Sequence, residues 1–319
     1  MSVRFCRLPC QPAPRQPLPV SAGSDKIGEN RIKKDRRLKR EQKQTARERK
    51  GAGFIMTYRM LVSDIDDTLL TDDLQVTPGT REALARAVKR GVVVTLATGR
   101  MFASAKRIAR QIELDVPIIT YQGSLVKTLQ DEKVLYERWL PAEAARIVFA
   151  FAEQRRIHTQ AYVDDRLFCS EDNEFSRSYS QLTGVPYEVH PRIGELAGER
   201  VTKILLTGEP AYLDRIREEI APQLDGIAYI TKSKPHYLEF THPEGTKAHA
   251  VKFLAERFGI GMEEVIAVGD GLNDVGMVQA AGLGVAVGNA VDALKRVADH
   301  ITASNNEEGV RKLIETFLL

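Results

Sequence analysis

Arg59-Met60-Leu61-Val62-Ser63-Asp64-Ile65-Asp66-Asp67-Thr68 is a short apolar run that ends in three carboxylates and a hydroxyl. Arg59 to Asp66 reads as a buried strand whose last residues turn polar. A helix follows over Pro78 to Arg90, with Thr77 as N-cap, Pro78 in the first turn and Gly91 as the stop. Val92 to Ala97 is a second buried strand, and Thr98, Gly99 and Arg100 lead from it into a helix from Met101 to Glu113. A third strand, Val116 to Thr120, runs into Tyr121, Gln122 and Gly123. Strand and helix alternate, so the run predicts an α/β fold with a Rossmann-like parallel sheet and right-handed crossovers.

Beyond Leu125 the texture changes. Lys133 to Trp139, Gln160 to Cys169, Lys203 to Thr207 and Ile227 to Thr231 read as strands, with Asp164-Asp165 as a hairpin turn. Ala142 to Arg155 and Ala211 to Gln223 read as helices among them. Such mixed order suits an inserted α+β unit with an antiparallel sheet. From Lys247 the parallel pattern returns: a helix to Phe258, a strand Val265 to Val268, a helix Asp274 to Ala280, a strand Gly284 to Val287 and a helix Glu307 to Phe317. The expected architecture is a core of residues 56–124 and 239–319, interrupted by a cap of residues 125–238.

In open parallel sheets ligands bind beyond the carboxyl ends of the strands. Four places therefore carry the chemistry: Asp64-Ile65-Asp66-Asp67-Thr68, Thr98-Gly99-Arg100, Lys247 at a helix start, and Gly269-Asp270-Gly271-Leu272-Asn273-Asp274. A lone Asp-x-Asp at a strand end reads equally as a turn or a helix cap. A second acidic cluster at another strand end changes that reading, because facing carboxylates repel unless a cation lies between them, and an oxygen-rich site suits Mg²⁺. Thr98 adds a donor for a phosphate oxygen and Lys247 a neutralising cation. Nucleophile, metal, acid/base and charge clamp are the parts of phosphoryl transfer.

These four motifs, in this order and with an insertion between the second and third, resemble the haloacid dehalogenase-like (HAD) superfamily, and within it the Cof-type, class IIB phosphatases. The resemblance covers Met56 to Leu319 and rests on the motifs jointly, since each alone is common. It implies that Asp64 attacks phosphorus to form an aspartyl phosphate, and that Asp66 protonates the leaving alkoxide and then activates water. Relatives that keep the phospho-aspartate for other purposes, such as ion pumps, carry a different residue at the second position. Thr98 and Lys247 are then catalytic clamps on the phosphoryl group. Gly99 and Asn273, and Asn289 of Gly288-Asn289-Ala290, are phosphate or substrate contacts. The Asp64 carboxylate, the Asp66 backbone carbonyl and Asp270 are implied ligands of Mg²⁺, with Asp274 supporting the metal or Lys247.

Two departures from the family pattern stand out: Gln122-Gly123 where relatives commonly have Asn-Gly, and Gly245-Thr246-Lys247-Ala248 around the lysine. Lys247 is nevertheless the expected lysine, since Lys252 falls well inside the helix. Asp67 reads as a turn residue, and Arg100 as a helix cap or as a side chain that reaches an anionic substrate. His236, His242 and His249 lack a Cys or carboxylate at ligand spacing and read as surface histidines. Trp139 and Tyr162 read as core aromatics of short strands. The implied substrate is a small phosphorylated metabolite, sugar phosphates first and phosphorylated cofactors such as pyridoxal phosphate (PLP) or flavin mononucleotide (FMN) next. A phosphomutase using the same aspartates is the alternative within this chemistry.

The whole chain carries 46 basic and 43 acidic residues, of which 15 and 5 lie in Met1 to Ile55. That segment is therefore +10, and the remaining 31 basic and 38 acidic residues leave Met56 to Leu319 at −7. Proline-rich at Cys10 to Val20 and then dense in Lys, Arg and Gln, the tail has too few apolar residues to bury a core, and reads as a disordered basic arm or as sequence preceding a later start at Met56. It is the only candidate for a nucleic-acid contact, the alternative being a non-catalytic RNA-binding role led by this tail, and its basic stretch Lys33 to Lys50 lacks aromatics for base stacking. Cys6, Cys10 and Cys169 match no metal cluster and cannot all pair, which suits a reducing cytoplasm. No run approaches the roughly 18–20 apolar residues of a membrane span.

Overall fold

A computed structural model describes residues 58–319 apart from Leu114 and Val116. The basic tail of residues 1–55, the start at Met56 and the expected first residue of the third strand, Val116, lie outside the described residues.

The elements run β1 (Met60–Ser63), α1 (Pro78–Lys89), β2 (Val93–Leu96), α2 (Phe102–Gln111), β3 (Ile118–Thr120), β4 (Leu125–Lys127), β5 (Val134–Glu137) and α3 (Ala142–Arg155). They continue with β6 (His158–Val163), β7 (Arg166–Cys169), α4 (Glu174–Thr183), β8 (Tyr187–Val189), β9 (Val201–Thr207), α5 (Pro210–Ile220), β10 (Tyr229–Thr231) and β11 (Tyr237–Thr241). The last part holds α6 (Lys247–Arg257), β12 (Val265–Gly269), α7 (Val275–Ala280), β13 (Leu283–Ala286), α8 (Asp292–Lys295), β14 (His300–Ile301) and α9 (Gly309–Phe317).

β14, β13, β12, β1 and β2 form one parallel sheet in that order, with Met60 opposite Val265 on one side and Val93 on the other. The central strand β1 is buried along its whole length, which is why its sequence is continuous in apolar residues rather than alternating. α1 begins as its sequence dictates: the Thr77 side chain accepts from the Thr80 N–H, and Gly91 leaves the helix at φ +83°. β3, β4 and β5 form a small antiparallel sheet at the edge of this core.

A six-stranded sheet of order β10-β11-β9-β6-β7-β8 makes the cap. α3 and α5 cover one of its faces through Val148, Phe149, Leu213 and Ile216. Tyr162 and Leu205 on the other face pack with Met101, Phe102 and Tyr121 of the core. Burying a side chain of that size contributes roughly 1.5–3 kcal/mol, so the two layers meet through a packed seam.

The run Gln160 to Cys169 is a hairpin turned, as expected, at Asp164 and Asp165, whose φ angles are +49° and +59°. The helix α4 was not expected, because only Ser176, Tyr179 and Thr183 of its ten residues are buried and no apolar stripe announces it. Its ends were written in the sequence all the same, as the N-cap Asn173 and the left-handed Gly184. The strand β11 reaches Thr241, across the expected division at residue 238. Trp139 is 42% exposed, so it is not the core aromatic expected, whereas Tyr162 is fully buried.

Candidate active site

Asp64 follows β1 directly and is held there by its N–H to the Val268 carbonyl, 3.0 Å away on the neighbouring strand β12. That pairing brings the ends of β1 and β12 side by side, and with them the two acidic clusters. Lys247, the first residue of α6, lies beneath both: its Nζ donates to Asp64 Oδ1 at 2.7 Å and to Asp274 Oδ1 at 2.6 Å. Asp274 is fully buried, and its Oδ2 accepts the N–H groups of Asp270 (3.0 Å) and Gly271 (2.9 Å). Position 269 must be glycine for this: a Cβ there would lie 2.4 Å from Asp274 Cγ. Thr68 donates its hydroxyl to Asp270 Oδ1 at 2.8 Å.

Burial pushes the Asp64 carboxyl well above the usual carboxylate range, against the pull of Lys247, and Asp274 and Asp270 add repulsion. Burial and the neighbouring Asp274 push Asp270 up to about 7. For Lys247 burial alone would favour the neutral amine, but Asp274 and Asp64 outweigh it and hold the ammonium above its ordinary range. One lysine thus leaves negative charge uncompensated. Oxygens of Asp64, Asp270 and Asp274 lie within 4.8 Å of one another, and among the described residues they are the one group of this kind. Both Asp274 oxygens are spent on Lys247 and backbone N–H groups, so it supports from behind, while Asp64 and Asp270 each keep an oxygen without a hydrogen bond from any described residue. Two free carboxylate oxygens and excess negative charge fit a divalent cation with oxygen ligands.

The second loop lies beside them. Thr98 is buried, and its Oγ1 accepts from the Arg100 N–H at 3.1 Å, which leaves the hydroxyl proton to be donated into the cavity. Arg100 does not cap its helix, whose N-cap is Met101 without a side-chain bond. Instead its guanidinium reaches back to Asp66, Nε to Oδ2 at 2.8 Å and Nη2 to Oδ1 at 2.7 Å, and its Nη1 donates to Ser104 Oγ. Asp67 is a turn residue as expected, at φ +57°, and its carboxylate meets Lys234 of the cap at 3.1 Å.

Asn273 lines the cavity but gives its Nδ2 to Gln122 Oε1 at 3.0 Å. Gln122 in turn donates to Glu239 Oε2 of the cap at 2.8 Å. Asn289 is exposed and joins two loops, donating to the Asp67 carbonyl at 2.7 Å and accepting from the Asn305 N–H at 3.0 Å. It does not line the cavity. Lys252 is 66% exposed beside Glu256, and the three histidines make no cluster: His242 accepts from the Glu244 N–H, His249 meets Thr246 Oγ1 and His236 lies against the Tyr237 ring.

The space enclosed by these groups is about 60 Å³, roofed by Tyr179, Lys203, Lys234, Tyr237 and Glu239 of the cap. Sequence reasoning did not single out these five. Lys203 and Glu239 had a signal, as charges inside apolar runs of the fully buried strand β9 and of β11. The others had none.

A sequence model of the haloacid dehalogenase-like hydrolases matches residues 61–314. A Bacillus subtilis 5-amino-6-(5-phospho-D-ribitylamino)uracil phosphatase is 31% identical, with 82% of this chain and 96% of that protein covered. A crystal structure from Thermotoga maritima superposes with a TM-score of 0.71 at 34% identity, covering 82% of this chain and 97% of that one. A sugar phosphatase of HAD subclass IIB superposes at 0.73 with 26% identity, covering 81% and 98%.

Proposed function

The chain belongs to the haloacid dehalogenase-like hydrolases and is a phosphatase of that family, and on that premise we propose that it hydrolyses small phosphorylated metabolites with Mg²⁺ through a phosphoryl group carried on Asp64. The observation that supports this most is the buried Lys247 bridge between Asp64 and Asp274, set beside Asp270 at the floor of the cavity.

In the proposed reaction a carboxylate oxygen of Asp64 attacks phosphorus in line, the phosphorus–ester oxygen bond breaks, and Asp66 gives the leaving oxygen a proton. Asp66 then takes a proton from water, whose oxygen attacks phosphorus and displaces the Asp64 carboxylate. Each Asp66 oxygen shares one lone pair with Arg100, and the side chain is 24% exposed, so it keeps a free edge for this work. Thr98 donates its hydroxyl to a phosphoryl oxygen, and Lys247 holds Asp64 in place and pulls against the burial that disfavours its ionised form. Mg²⁺, held by Asp64 and Asp270 and supported by Asp274, supplies positive charge against the phosphoryl oxygens when bound. Preorganised charge in a water-poor site is what lowers the barrier.

The likeness to a sugar phosphatase puts sugar phosphates first among substrates, and the uracil relative, whose substrate is a phosphorylated ribityl chain on a base, keeps phosphorylated cofactors such as PLP and FMN next. In this reading the cap moves to admit the substrate and closes over it to exclude water. Among the described residues no helix is long and apolar enough to cross a membrane, and Cys169 is a free thiol, which accords with a cytoplasmic enzyme.

The test is phosphate release from a panel of sugar phosphates, nucleotides and phosphorylated cofactors with Mg²⁺, beside the Asp64→Asn variant. Mg²⁺-dependent turnover that disappears in the variant is expected. A folded protein that releases phosphate from none of them overturns the proposal.

A further inference from the structure

We propose that Lys203 and Glu239, two residues of the cap sheet, are positioning residues for the catalytic loops of the core; the proposal rests on the phosphatase reading above. Both are 2% exposed, on the neighbouring strands β9 and β11, with Nζ and Oε2 3.3 Å apart. Neither is spent inside the cap alone. Lys203 Nζ donates to the Gly99 carbonyl at 2.8 Å, and Glu239 Oε2 accepts from Gln122 Nε2 at 2.8 Å, so each side chain reaches a core loop. Ser233 donates to the other Glu239 oxygen, and the Tyr162 ring lies 4.6 Å under the ammonium, which fixes both heads.

These contacts close on one residue. Gly99 is packed so tightly on the Gln122 amide that a Cβ would stand 2.3 Å from Nε2, while its carbonyl is held by Lys203. It is gripped from two sides by groups that meet at Glu239. Its neighbours are Thr98, the cavity hydroxyl, and Arg100, the guanidinium that holds Asp66, so a shift of Gly99 displaces both. Gln122 carries the same constraint to the other acidic loop, because its Oε1 accepts from Asn273, which lies between Asp270 and Asp274. One cap ion pair therefore sets both loops. When the cap lifts, Gly99 loses its donor and Gln122 its acceptor, so the loops are complete only when water is excluded.

A buried ion pair is a poor way merely to hold a cap down, since desolvation cancels much of its attraction. Its use here is directional: two charged heads with fixed hydrogen-bond geometry aim two loops. The decisive variant is the double change Lys203→Met with Glu239→Gln, which leaves no unpaired charge, compared with either single change. Each single change is expected to lower Tm, and the double change to recover it. In the double variant kcat falls about tenfold or more while KM stays within about threefold. Amide hydrogen exchange in residues 96–100 and 121–123 is then faster than in the wild type. Lys203→Arg is a second probe that keeps the charge pair but not the single ammonium donor on Gly99, and it loses kcat at unchanged Tm. Recovery of kcat together with Tm in the double variant, or wild-type exchange in both segments, overturns the proposal. A wild type that turns over no phosphate ester sinks the phosphatase reading alone, because the exchange measurement still reads the loops.

Discussion

Both carboxylate oxygens of Asp66 are held by the single guanidinium of Arg100, at 2.8 and 2.7 Å. The pair crosses from the end of β1 to the end of β2, and it fixes the carboxylate plane beside the cavity. Lysine cannot reproduce two parallel N–H bonds. Arg100→Lys is therefore expected to lower kcat by about 10- to 100-fold through misplacement of Asp66, with a smaller change in KM. Steady-state kinetics decides it, and wild-type kcat in the variant would show that the fork has no part in the reaction.

The acidic cluster predicts opposite results for two neighbouring changes. Asp270→Asn removes a charge that burial and Asp274 already disfavour, so the metal-free variant should be no less stable than the metal-free wild type. It should also lose the stabilisation expected of Mg²⁺ bound to the wild type, about 2.7 kcal/mol when the ion is at a hundred times its Kd. Lys247→Met leaves Asp64 and Asp274 buried without their shared cation and should cost about 3–5 kcal/mol without metal. Thermal unfolding with EDTA and with Mg²⁺ separates the two; an unchanged Mg²⁺ response in the Asp270 variant would remove that residue from the metal site.

The parallel core was legible because each of its buried strands is a continuous apolar run closed by polar residues, and the motif positions Asp64, Thr98, Asp270 and Lys247 follow from strand ends and a helix start. Arg100 was not legible as the partner of Asp66. Its direction depends on how β1 and β2 stand beside each other, which a local reading of a helix start does not contain. The cap was harder for a related reason. The helix α4 contributes Tyr179 to the cavity yet buries few residues, and Lys234 sits on a loop, so neither shows a period. Asn289 had the right loop and the wrong partners: it ties Asp67 to Asn305 rather than facing the cavity.

His158 gives the cap a pH dependence of known sign. It is buried at the start of β6, within 3.2 Å of Asn173 and 3.4 Å of Gln160, with Phe175 against its ring and Glu171 at 3.9 Å. Burial pushes its imidazolium down to about 4 from 6.5, with Glu171 opposing only in part. The unfolded chain takes up a proton below about 6.5 and the native chain only below about 4, so the stability gained from this group is complete above the first value and lost as pH falls to the second. The loss is on the order of 3 kcal/mol. Denaturant unfolding across this range should show a shallower pH slope in His158→Gln, and equal slopes would contradict the assignment.

Gln122 stands where the family resemblance implies Asn-Gly, and the structure gives the longer amide a task that asparagine cannot perform. Its Nε2 reaches Glu239 across the seam and its Oε1 takes Asn273 from the opposite loop, with the side chain 1% exposed. The backbone cannot move to compensate. Gln122 sits at φ +62° between Tyr121 at +51° and Gly123 at +114°, and a Cβ on Gly123 would stand 2.1 Å from the Thr246 carbonyl oxygen. Shortening the side chain by one methylene in Gln122→Asn should therefore break at least one of the two bonds and leave a buried polar group unpaired, at a cost of about 1–3 kcal/mol. The loss should be smaller in the Glu239→Gln background, where the cap acceptor is already weakened, so a double-mutant cycle on Tm reads the coupling. Strict additivity of the two changes would mean that Gln122 and Glu239 do not act on each other.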